Sequence, residues 1–126
     1  MRVLVCGGRD YGYKWKGSKK VRDLVVINKA IDVVKALNPT RMIHGGATGA
    51  DEIATEVARV LDIPVMRFPA DWNTYNKAAG PIRNQQMLDE GKPDLVVAFP
   101  GGTGTADMIR RAKKAGVEVI QVKWNG

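Results

Sequence analysis

Short apolar runs recur along the chain, and each of the first four is followed by glycine or proline and then by a segment of helical periodicity. The runs predict five β-strands, at residues 3–6, 41–44, 65–68, 95–99 and 117–122. This alternation is typical of βαβ units, in which the strands are parallel. The first and fourth runs are apolar throughout, as in strands covered on both faces, whereas Glu118 and Gln121 indicate that the last strand lies at an edge.

Between these runs, apolar residues return at helical spacing. Leu24, Ile27 and Ile31 begin one such stripe, and the stripes predict helices at about residues 24–37 and 53–61. Gly80-Pro81, Gly91 and Gly116 mark the ends of two more, at about residues 80–91 and 104–115. Residues 7–18 are expected to form a long loop, and such loops often have a functional role. Right-handed crossovers give the strand order 3-2-1-4-5. The fold class is therefore α/β, with residues 1–126 in a single domain and a parallel five-stranded sheet between two layers of helices.

The composition excludes several classes of protein. The longest apolar run, at residues 95–99, is far shorter than the roughly 18 residues that a membrane span needs. The first apolar stretch is too short for a secretory signal, so we expect a cytoplasmic protein with no membrane partner. One Cys and one His leave no set of metal ligands, and we expect neither a bound metal nor a resident cofactor. The formal net charge of +7 favours an anionic partner, either a small phosphate or a polynucleotide.

Three of the predicted strands end in a pair of glycines: Gly7-Gly8, Gly45-Gly46 and Gly101-Gly102. The carboxyl ends of parallel strands lie at one edge of the sheet, and ligands bind there beside the point where the strand order reverses. Glycine lets the backbone approach a phosphate closely, and the first N–H groups of the following helix are free to bind an anion. The three turns predict a phosphate pocket. The alternative is that the glycines only join strand to helix.

Two common nucleotide-binding motifs are missing. No glycine turn carries the Lys-Ser or Lys-Thr pair of a P-loop. The turn after the first strand does not match the dinucleotide pattern, and the second strand ends in His44 rather than in an acidic residue that would bind a ribose. The sequence therefore disfavours P-loop triphosphate hydrolysis and dinucleotide-dependent dehydrogenation.

Four segments, in order, resemble the YspA/YpsA-related branch of the SLOG superfamily. They are residues 7–11 (GGRDY), 44–51 (HGGATGAD), 79–87 (AGPIRNQQM) and 100–105 (PGGTGT). That superfamily includes the Lonely Guy phosphoribohydrolases and the Rossmann-like part of the DNA-processing protein DprA. The resemblance implies a Rossmann-like domain that binds nucleotide-derived ligands and, by analogy, self-associates. Some members hydrolyse nucleoside monophosphates, and others sense nucleotide signals.

The Lonely Guy hydrolases carry the pattern Pro-Gly-Gly-x-Gly-Thr-x-x-Glu, which residues 100–105 match, but Met108 occupies the position of the catalytic Glu. By this resemblance, the candidate catalytic residues are Arg83 and the neighbouring Asp107, although adjacent helical residues point about 100° apart. The candidate ligand-binding residues are Gly7, Gly8, Arg9, Asp10, Tyr11, Gly45, Gly46, Thr48, Gly49, Asp51, Trp72, Arg83, Asn84, Pro100, Gly101, Gly102, Thr103, Gly104 and Thr105.

Several of these residues have a structural interpretation beside the functional one. Arg83 is either a phosphate ligand or one side of a salt bridge between helix and loop. Arg9 follows the first glycine turn, which favours contact with a phosphate or ribose, and Asp10 is expected to fix its side chain. Asp51 lies in the first turn of a helix, where a carboxylate interacts favourably with the helix dipole. With a raised pKa in a closed pocket, Asp51 or Asp107 would act as a general base.

Aromatic and basic residues alternate after the first glycine turn, with Tyr11, Tyr13 and Trp15 around Lys14 and Lys16. Such aromatic faces stack on a base or on single-stranded nucleic acid. The alternative is that the loop folds these rings onto the domain.

Four further residues carry simpler expectations. Trp72 and Tyr75 precede the third helix, and they either pack against it or form a wall of the pocket. His44 is expected to make a hydrogen bond at a strand end. Cys6 is expected to be a small core residue, since nothing marks it as an activated thiol.

Three functions stay open on the sequence alone. The leading one is binding of a nucleotide-derived ligand, such as a nucleoside monophosphate, ADP-ribose or a related signal, at the glycine-rich edge of the sheet. The second is cleavage of an N-glycosidic bond by a phosphoribohydrolase. The third is binding of single-stranded nucleic acid, which the net charge and the basic segment at residues 9–35 favour.

Overall fold

The computed structural model describes residues 1–123, and a parallel five-stranded sheet lies at its centre. Its strands are β1 (Arg2–Cys6), β4 (Arg41–His44), β5 (Val65–Arg67), β6 (Leu95–Ala98) and β7 (Glu118–Gln121). They are ordered β5-β4-β1-β6-β7, and all four pairings are parallel. This confirms the α/β class and the predicted strand order. Glu118 and Gln121 are exposed on β7, an edge strand, as their polarity indicated.

In the described part of the chain, five α-helices accompany the strands. They are α1 (Leu24–Lys35), α2 (Ala50–Leu61), α3 (Trp72–Tyr75), α4 (Ala79–Gly91) and α5 (Thr103–Lys114). Four of them, α1, α2, α4 and α5, correspond to the four predicted helices. The short helix α3 and the 3₁₀ turn Asn76–Ala78 escaped prediction because segments this short show no periodicity. Within residues 1–123, no helix combines the length and the apolar character needed to span a bilayer.

The two faces of the sheet are covered by different helices, because successive residues of a strand point to opposite sides. On β1, Val3 and Val5 pack with residues of α1 and α2, and Leu4 packs with residues of α4 and α5. All three side chains are fully buried, which explains the unbroken apolar pattern of this strand. Helices α2 and α5 therefore lie on opposite faces of the sheet, but both begin at its carboxyl edge.

The prediction of a long loop at residues 7–18 is wrong. Much of it belongs to an antiparallel hairpin, β2 (Tyr13–Lys16) and β3 (Lys19–Arg22), which is separate from the main sheet. The hairpin buries no apolar face, so the usual pattern of a half-buried strand is absent. The signal that could have found it is the Gly17-Ser18 pair between two short segments, since Gly-Ser is a typical two-residue hairpin turn.

Candidate functional site

The three glycine turns meet at the carboxyl edge of the sheet. Gly8 N donates to Pro100 O at 2.9 Å, and Gly8 O accepts from Ala50 N, at the start of α2, at 3.2 Å. Thr48 Oγ1 donates to Arg9 O at 3.0 Å. The turn after β1 therefore lies between the turns that follow β4 and β6.

Close packing of the backbone explains several of the glycines. A Cβ at Gly49 would lie 2.3 Å from Gly8 O, and Gly49 has a φ of +73°. A Cβ at Gly101 would lie 2.6 Å from Gly8 N, and one at Gly7 would lie 2.6 Å from the Cβ of Ala50. These separations are too short for any side chain, so these positions need glycine for the turns themselves.

Gly102 and Gly104 differ from the other glycines of the three turns. Both are exposed, neither has a positive φ, and apart from adjacent residues and the backbone of α5 itself, no atom of residues 1–123 lies within 4 Å of where their Cβ atoms would be. Gly104 lies inside α5, where glycine is less favourable than alanine by about 1 kcal/mol. Packing within residues 1–123 does not explain these two glycines, and both line a cleft.

This cleft has a volume of about 550 Å³ and contains most of the candidate residues. Those that line it are Gly7, Gly8, Arg9, Asp51, Trp72, Arg83, Asn84, Gly102, Thr103, Gly104, Thr105 and Asp107. An adjoining space of about 310 Å³ shares Arg9, Trp72 and Arg83 with it, and is lined by Gly45, Gly46 and Thr48. The structure thus brings all three glycine turns to one connected depression.

The other candidate residues do not line the cleft. Tyr11 is 5% exposed, and its ring stacks on Phe99 with the centroids 4.8 Å apart, so it belongs to the core. Asp10 forms a salt bridge with Lys20 of the hairpin and does not fix Arg9 as expected. Gly49, Pro100 and Gly101 contribute the backbone contacts of the turns.

The first turn of α5 is open to the cleft. Gly102 precedes the helix without a side-chain cap, and the first helical bond runs from Ala106 N to Gly102 O at 3.1 Å. The N–H groups of residues 101–105 donate to no acceptor within residues 1–123. Unpaired N–H groups and the helix dipole together give this end a partial positive charge, which suits an anion.

Asn84 holds the first turn of α5 in place from the neighbouring helix. Its Nδ2 donates to Gly104 O at 3.1 Å and to Asp107 Oδ2 at 3.0 Å. Its Oδ1 accepts from Arg83 Nε at 3.2 Å. Because these bonds use both ends of the amide, Asn84 links the position of Arg83 to that of α5.

Asp107 is a paired structural anion. Oδ1 accepts from Arg110, and Oδ2 accepts from Arg111 Nε at 2.8 Å as well as from Asn84. Burial raises the pKa of Asp107, but the hydrogen bonds from Asn84 and Arg111 outweigh it and hold the pKa below its ordinary value. This argues against Asp107 as a general base. Met108, at the Glu position of the Lonely Guy pattern, is fully buried against the core.

Asp51 has the opposite character. It is 7% exposed and lines the cleft, and its Oδ2 accepts from Ala47 N at 3.0 Å. Burial raises the pKa of Asp51 to about 6, against the lowering effects of the Ala47 hydrogen bond and of the charge on Arg83. Asp51 is therefore ionised at neutral pH and able to accept a proton near it.

Two arginines form the walls of the cleft. Arg83 Nη1 donates to Gly45 O at 2.9 Å, so its helix-to-loop contact is with a carbonyl and not with a carboxylate. Its Nη2 has no hydrogen-bond partner within residues 1–123. The guanidinium of Arg9 lies 5.6 Å above the ring of Trp72. Trp72 also lies beside Gly80, at the start of α4, so it both packs against this helix and forms a wall of the cleft.

Lys77 and Arg110 also line the cleft, and the sequence did not identify them. Lys77 lies in the 3₁₀ turn that escaped prediction. Arg110 lies three residues after Asp107 on α5, and this spacing was a usable signal for a contact. With Arg9 and Arg83, these residues give the cleft four cationic side chains against the two carboxylates of Asp51 and Asp107.

His44 and Cys6 are structural, as expected. His44 Nδ1 accepts from Gly46 N at 2.9 Å, so the ring proton lies on Nε2, 3.0 Å from Thr55 Oγ1. Burial lowers the pKa of His44 to about 4, and burial raises the pKa of the Cys6 thiol to about 12. Across residues 1–123, no three His, Cys, Asp or Glu side chains are grouped to hold a metal ion.

Comparison with known proteins agrees with this architecture. The sequence profile of the YspA, cpYpsA-related SLOG family matches residues 1–75. The chain belongs to this family. The Gene 61 protein of Mycobacterium phage D29 is 35% identical to this SLOG chain over a 126-residue alignment that covers 94% of each protein. The X-ray structure of TM1055, a structural genomics target, matches the whole chain with a TM-score of 0.70 and 20% identity, over 76% of its own length.

The family profile and the TM1055 structure support different conclusions about this chain. The family profile spans β1 to α3 and so includes the turns after β1 and β4. The turn before α5 lies beyond it. At 20% identity, the TM1055 structure supports the SLOG chain's fold alone. The role of the α5 turn therefore rests on its geometry.

Proposed function

We propose that this SLOG protein binds a nucleotide-derived ligand, such as a nucleoside monophosphate or ADP-ribose, with a phosphate at the amino end of α5. One observation carries the proposal. The unpaired N–H groups of residues 101–105 stand beside Gly102 and Gly104, whose missing side chains leave open space. Such an end binds phosphate through backbone N–H groups and the helix dipole.

The surroundings of α5 support the same ligand class. Arg83 keeps Nη2 available and Arg9 lines both parts of the depression, so two guanidinium groups are placed for charge-assisted bonds to phosphate oxygens. A volume of about 550 Å³ is within the range of small-molecule sites and suits a mononucleotide. Family membership points to nucleotide-related ligands as well.

Thermal-shift measurements with a panel of nucleoside monophosphates, ADP-ribose and inorganic phosphate test the proposal. A ligand at 100 times its Kd stabilises the folded state by about 2.7 kcal/mol, which gives a clear rise in melting temperature. If no phosphate-bearing compound raises the melting temperature at millimolar concentration, the proposal fails.

Gly104→Ala separates ligand binding from stability. Alanine at this open helical position is expected to stabilise the free protein by up to about 1 kcal/mol. Its methyl group would occupy the space that a phosphate needs, so the ligand-induced shift should be lost. Lys113→Ala, at the other end of α5, serves as the control and should keep the shift. Retention of the full shift in Gly104→Ala would contradict a phosphate at this position.

Asp51 supports a second candidate function, cleavage of an N-glycosidic bond. In that reaction, the oxygen of a water molecule bonds to C1′, and the C1′–N bond breaks with its electron pair on the base. Asp51 takes the proton from the attacking water, and the departing nitrogen takes one from solvent. A carboxylate with a pKa of about 6 that lines the cleft suits this role.

Chromatographic detection of free base tests this second function. Turnover should rise with pH through about 6 in the wild-type protein and be lost in Asp51→Asn. Asp107→Asn should lower the melting temperature and keep the same pH profile, because Asp107 is already paired. Intact substrate after long incubation with excess wild-type protein would reject hydrolysis and leave ligand binding as the function.

A further inference from the structure

The β2–β3 hairpin is an exposed arm. Except for Tyr13 and Val21, every residue of its strands is exposed. The base of the arm is held by a hydrogen bond from Tyr13 Oη to Glu52 Oε1 at 2.9 Å and by one from Asp23 N to Gly12 O at 2.7 Å. Two-stranded hairpins are marginally stable in water by themselves. The arm therefore adds little to the core, and its residues are available for contacts outside the fold.

The arm carries cations that the rest of the described chain does not neutralise. Residues 13–22 contain five Lys or Arg residues and no Asp or Glu. Lys20 pairs with Asp10, and Arg22 lies in a groove with Glu52 and Glu56. Three lysines form no ion pair within residues 1–123: Lys14, Lys16 and Lys19.

The positions of these lysines are unfavourable without a partner. Lys16 and Lys19 are directly opposite each other on the two strands, and like charges in such a pair are destabilising. Lys14 lies two residues from Lys16 and so points to the same face of the hairpin. An anion along this face would remove the repulsion.

Trp15 lies between Lys14 and Lys16 in the chain, points to the opposite face of the hairpin and is 70% exposed. It is the most exposed of the large hydrophobic side chains within residues 1–123. A single exposed apolar residue is ordinary on a protein surface. Here, however, the arm is only two strands wide, and it presents an indole with a free face on one side and Lys14, Lys16 and Lys19 on the other.

This combination fits single-stranded nucleic acid better than other polyanions. Unstacked bases can pack on an aromatic ring while phosphates contact lysines, whereas the bases of a duplex already stack on each other. An acidic peptide would use the lysines but leaves the indole without a matching face. A membrane surface would need a larger apolar face, and the tip of the arm offers only Gly17 and Ser18 beside Trp15.

We propose that the β2–β3 arm binds a single strand of nucleic acid that passes around it, with Trp15 stacked on a base at one face and Lys14, Lys16 and Lys19 on the backbone phosphates at the other. The proposal does not depend on the ligand of the cleft.

Fluorescence anisotropy of a short labelled oligothymidylate with the full chain tests this proposal. We expect binding at about 50 mM salt that weakens steeply as salt rises, with a slope of about −0.7 per phosphate contact. Replacing Lys14, Lys16 and Lys19 together by Gln should reduce the magnitude of the slope by about 2 and weaken binding more than tenfold. Trp15→Ala should weaken binding about 5- to 150-fold, and Trp15→Phe should keep most of the affinity.

A charge-matched control separates the arm from net charge. Lys113, Lys114 and Lys123 are exposed and lie outside the arm, so their combined change to Gln removes the same charge. If this control weakens binding as much as the arm variant, net charge alone is responsible and the proposal fails. The proposal also fails if a DNA duplex binds more tightly than a single strand. It fails as well if oligothymidylate does not bind while anionic phospholipid vesicles or polyglutamate bind in a manner that depends on Trp15. Circular dichroism of each variant confirms that the hairpin changes leave the fold intact.

Discussion

Helices α2 and α5 follow similar glycine turns, but the N–H groups at their amino ends differ in whether the protein supplies an acceptor for them. Each follows a strand of the sheet and a glycine turn. Residues 44–51 (HGGATGAD) lead into α2, and residues 100–105 (PGGTGT) lead into α5. At α2, carboxylates from the helix's own first turn accept hydrogen bonds from the N–H groups of the preceding turn. Asp51 accepts from Ala47 N, and Glu52 Oε1 accepts from Gly49 N at 2.7 Å. At α5, no acidic residue lies in the first turn and no side chain caps it.

This contrast indicates which of the two helix ends can accept an anion. The amino end of α2 already has two carboxylates beside it, so a phosphate there would meet like charge and few unpaired donors. The amino end of α5 has unpaired donors, open space at two glycines and nearby guanidinium groups. Similar glycine patterns can thus serve a turn in one place and a ligand in another, depending on whether the protein supplies its own anion.

The largest expected effect comes from altering the turn at α2. In Gly49→Ala, the methyl group would lie 2.3 Å from Gly8 O and 2.5 Å from Arg9 O, in a backbone conformation that favours glycine. Backbone strain and overpacking together predict a loss of about 2–6 kcal/mol in the free energy of unfolding, measured by urea denaturation. Gly104→Ala, at the open turn of α5, should be neutral or stabilising. Equal losses in both variants would remove the distinction between the two ends.

A second prediction uses the two buried titratable groups of the α2 turn. The pKa of Asp51 rises from 3.8 to about 6 on folding, so its contribution to stability is full below pH 3.8 and is lost as pH rises to 6. The pKa of His44 falls from 6.5 to about 4, so its contribution is full above pH 6.5 and is lost as pH falls to 4. Each change corresponds to about 3 kcal/mol, and the two oppose each other.

Single substitutions should make each of the two opposing effects of pH on stability visible by itself. Asp51→Asn should lose about 3 kcal/mol of stability as pH falls from 6.5 to 4, because only the His44 effect is left. His44→Gln should gain about the same amount between pH 6 and 4. Denaturant titrations across this range measure both slopes against the wild-type protein. Parallel pH profiles in the two variants would show that these groups do not titrate as their burial implies.

The smallest effect on stability comes from making α5 resemble α2. Thr103→Asp places a carboxylate in the first turn of α5, where the helix dipole favours it by about 0.3–1 kcal/mol. The same charge repels a phosphate, so the ligand-induced rise in melting temperature should disappear. Thr103→Asn has a similar shape without the charge and should retain part of the rise. A full ligand response in Thr103→Asp would locate the phosphate elsewhere.

The predicted parts of the fold are those that bury apolar surface. Strand β1 and helix α2 have patterns whose period matches their burial, and the strand order follows from right-handed connections. The β2–β3 hairpin escaped because Trp15 and the lysines around it face solvent. Where burial does not constrain a strand, the apolar pattern that would reveal it is absent.

The candidate site was only partly predictable. The glycine turns could be placed at the cleft, because they follow directly from strands that end at one edge of a parallel sheet. Arg83 is a candidate through the family resemblance, and for Trp72 the sequence leaves packing and the pocket wall as alternatives. The contrast between Asp51 and Asp107 could not be predicted, since each carboxylate is defined by its contacts. Asp107 is paired by Arg110, Arg111 and the distant Asn84, whereas Asp51 is buried beside the turn that precedes its helix.

Local sequence patterns are enough to specify the layered α/β fold, the location of three glycine turns at one edge of the sheet and an excess of positive charge. Long-range contacts define which helix end is left open, which carboxyl group has its pKa raised by burial, and which lysines of the hairpin form no ion pair within residues 1–123. The physical reason is that apolar periodicity is a local property of the chain. The hydrogen bonding and burial of a polar group depend instead on neighbours that folding brings from far along the sequence.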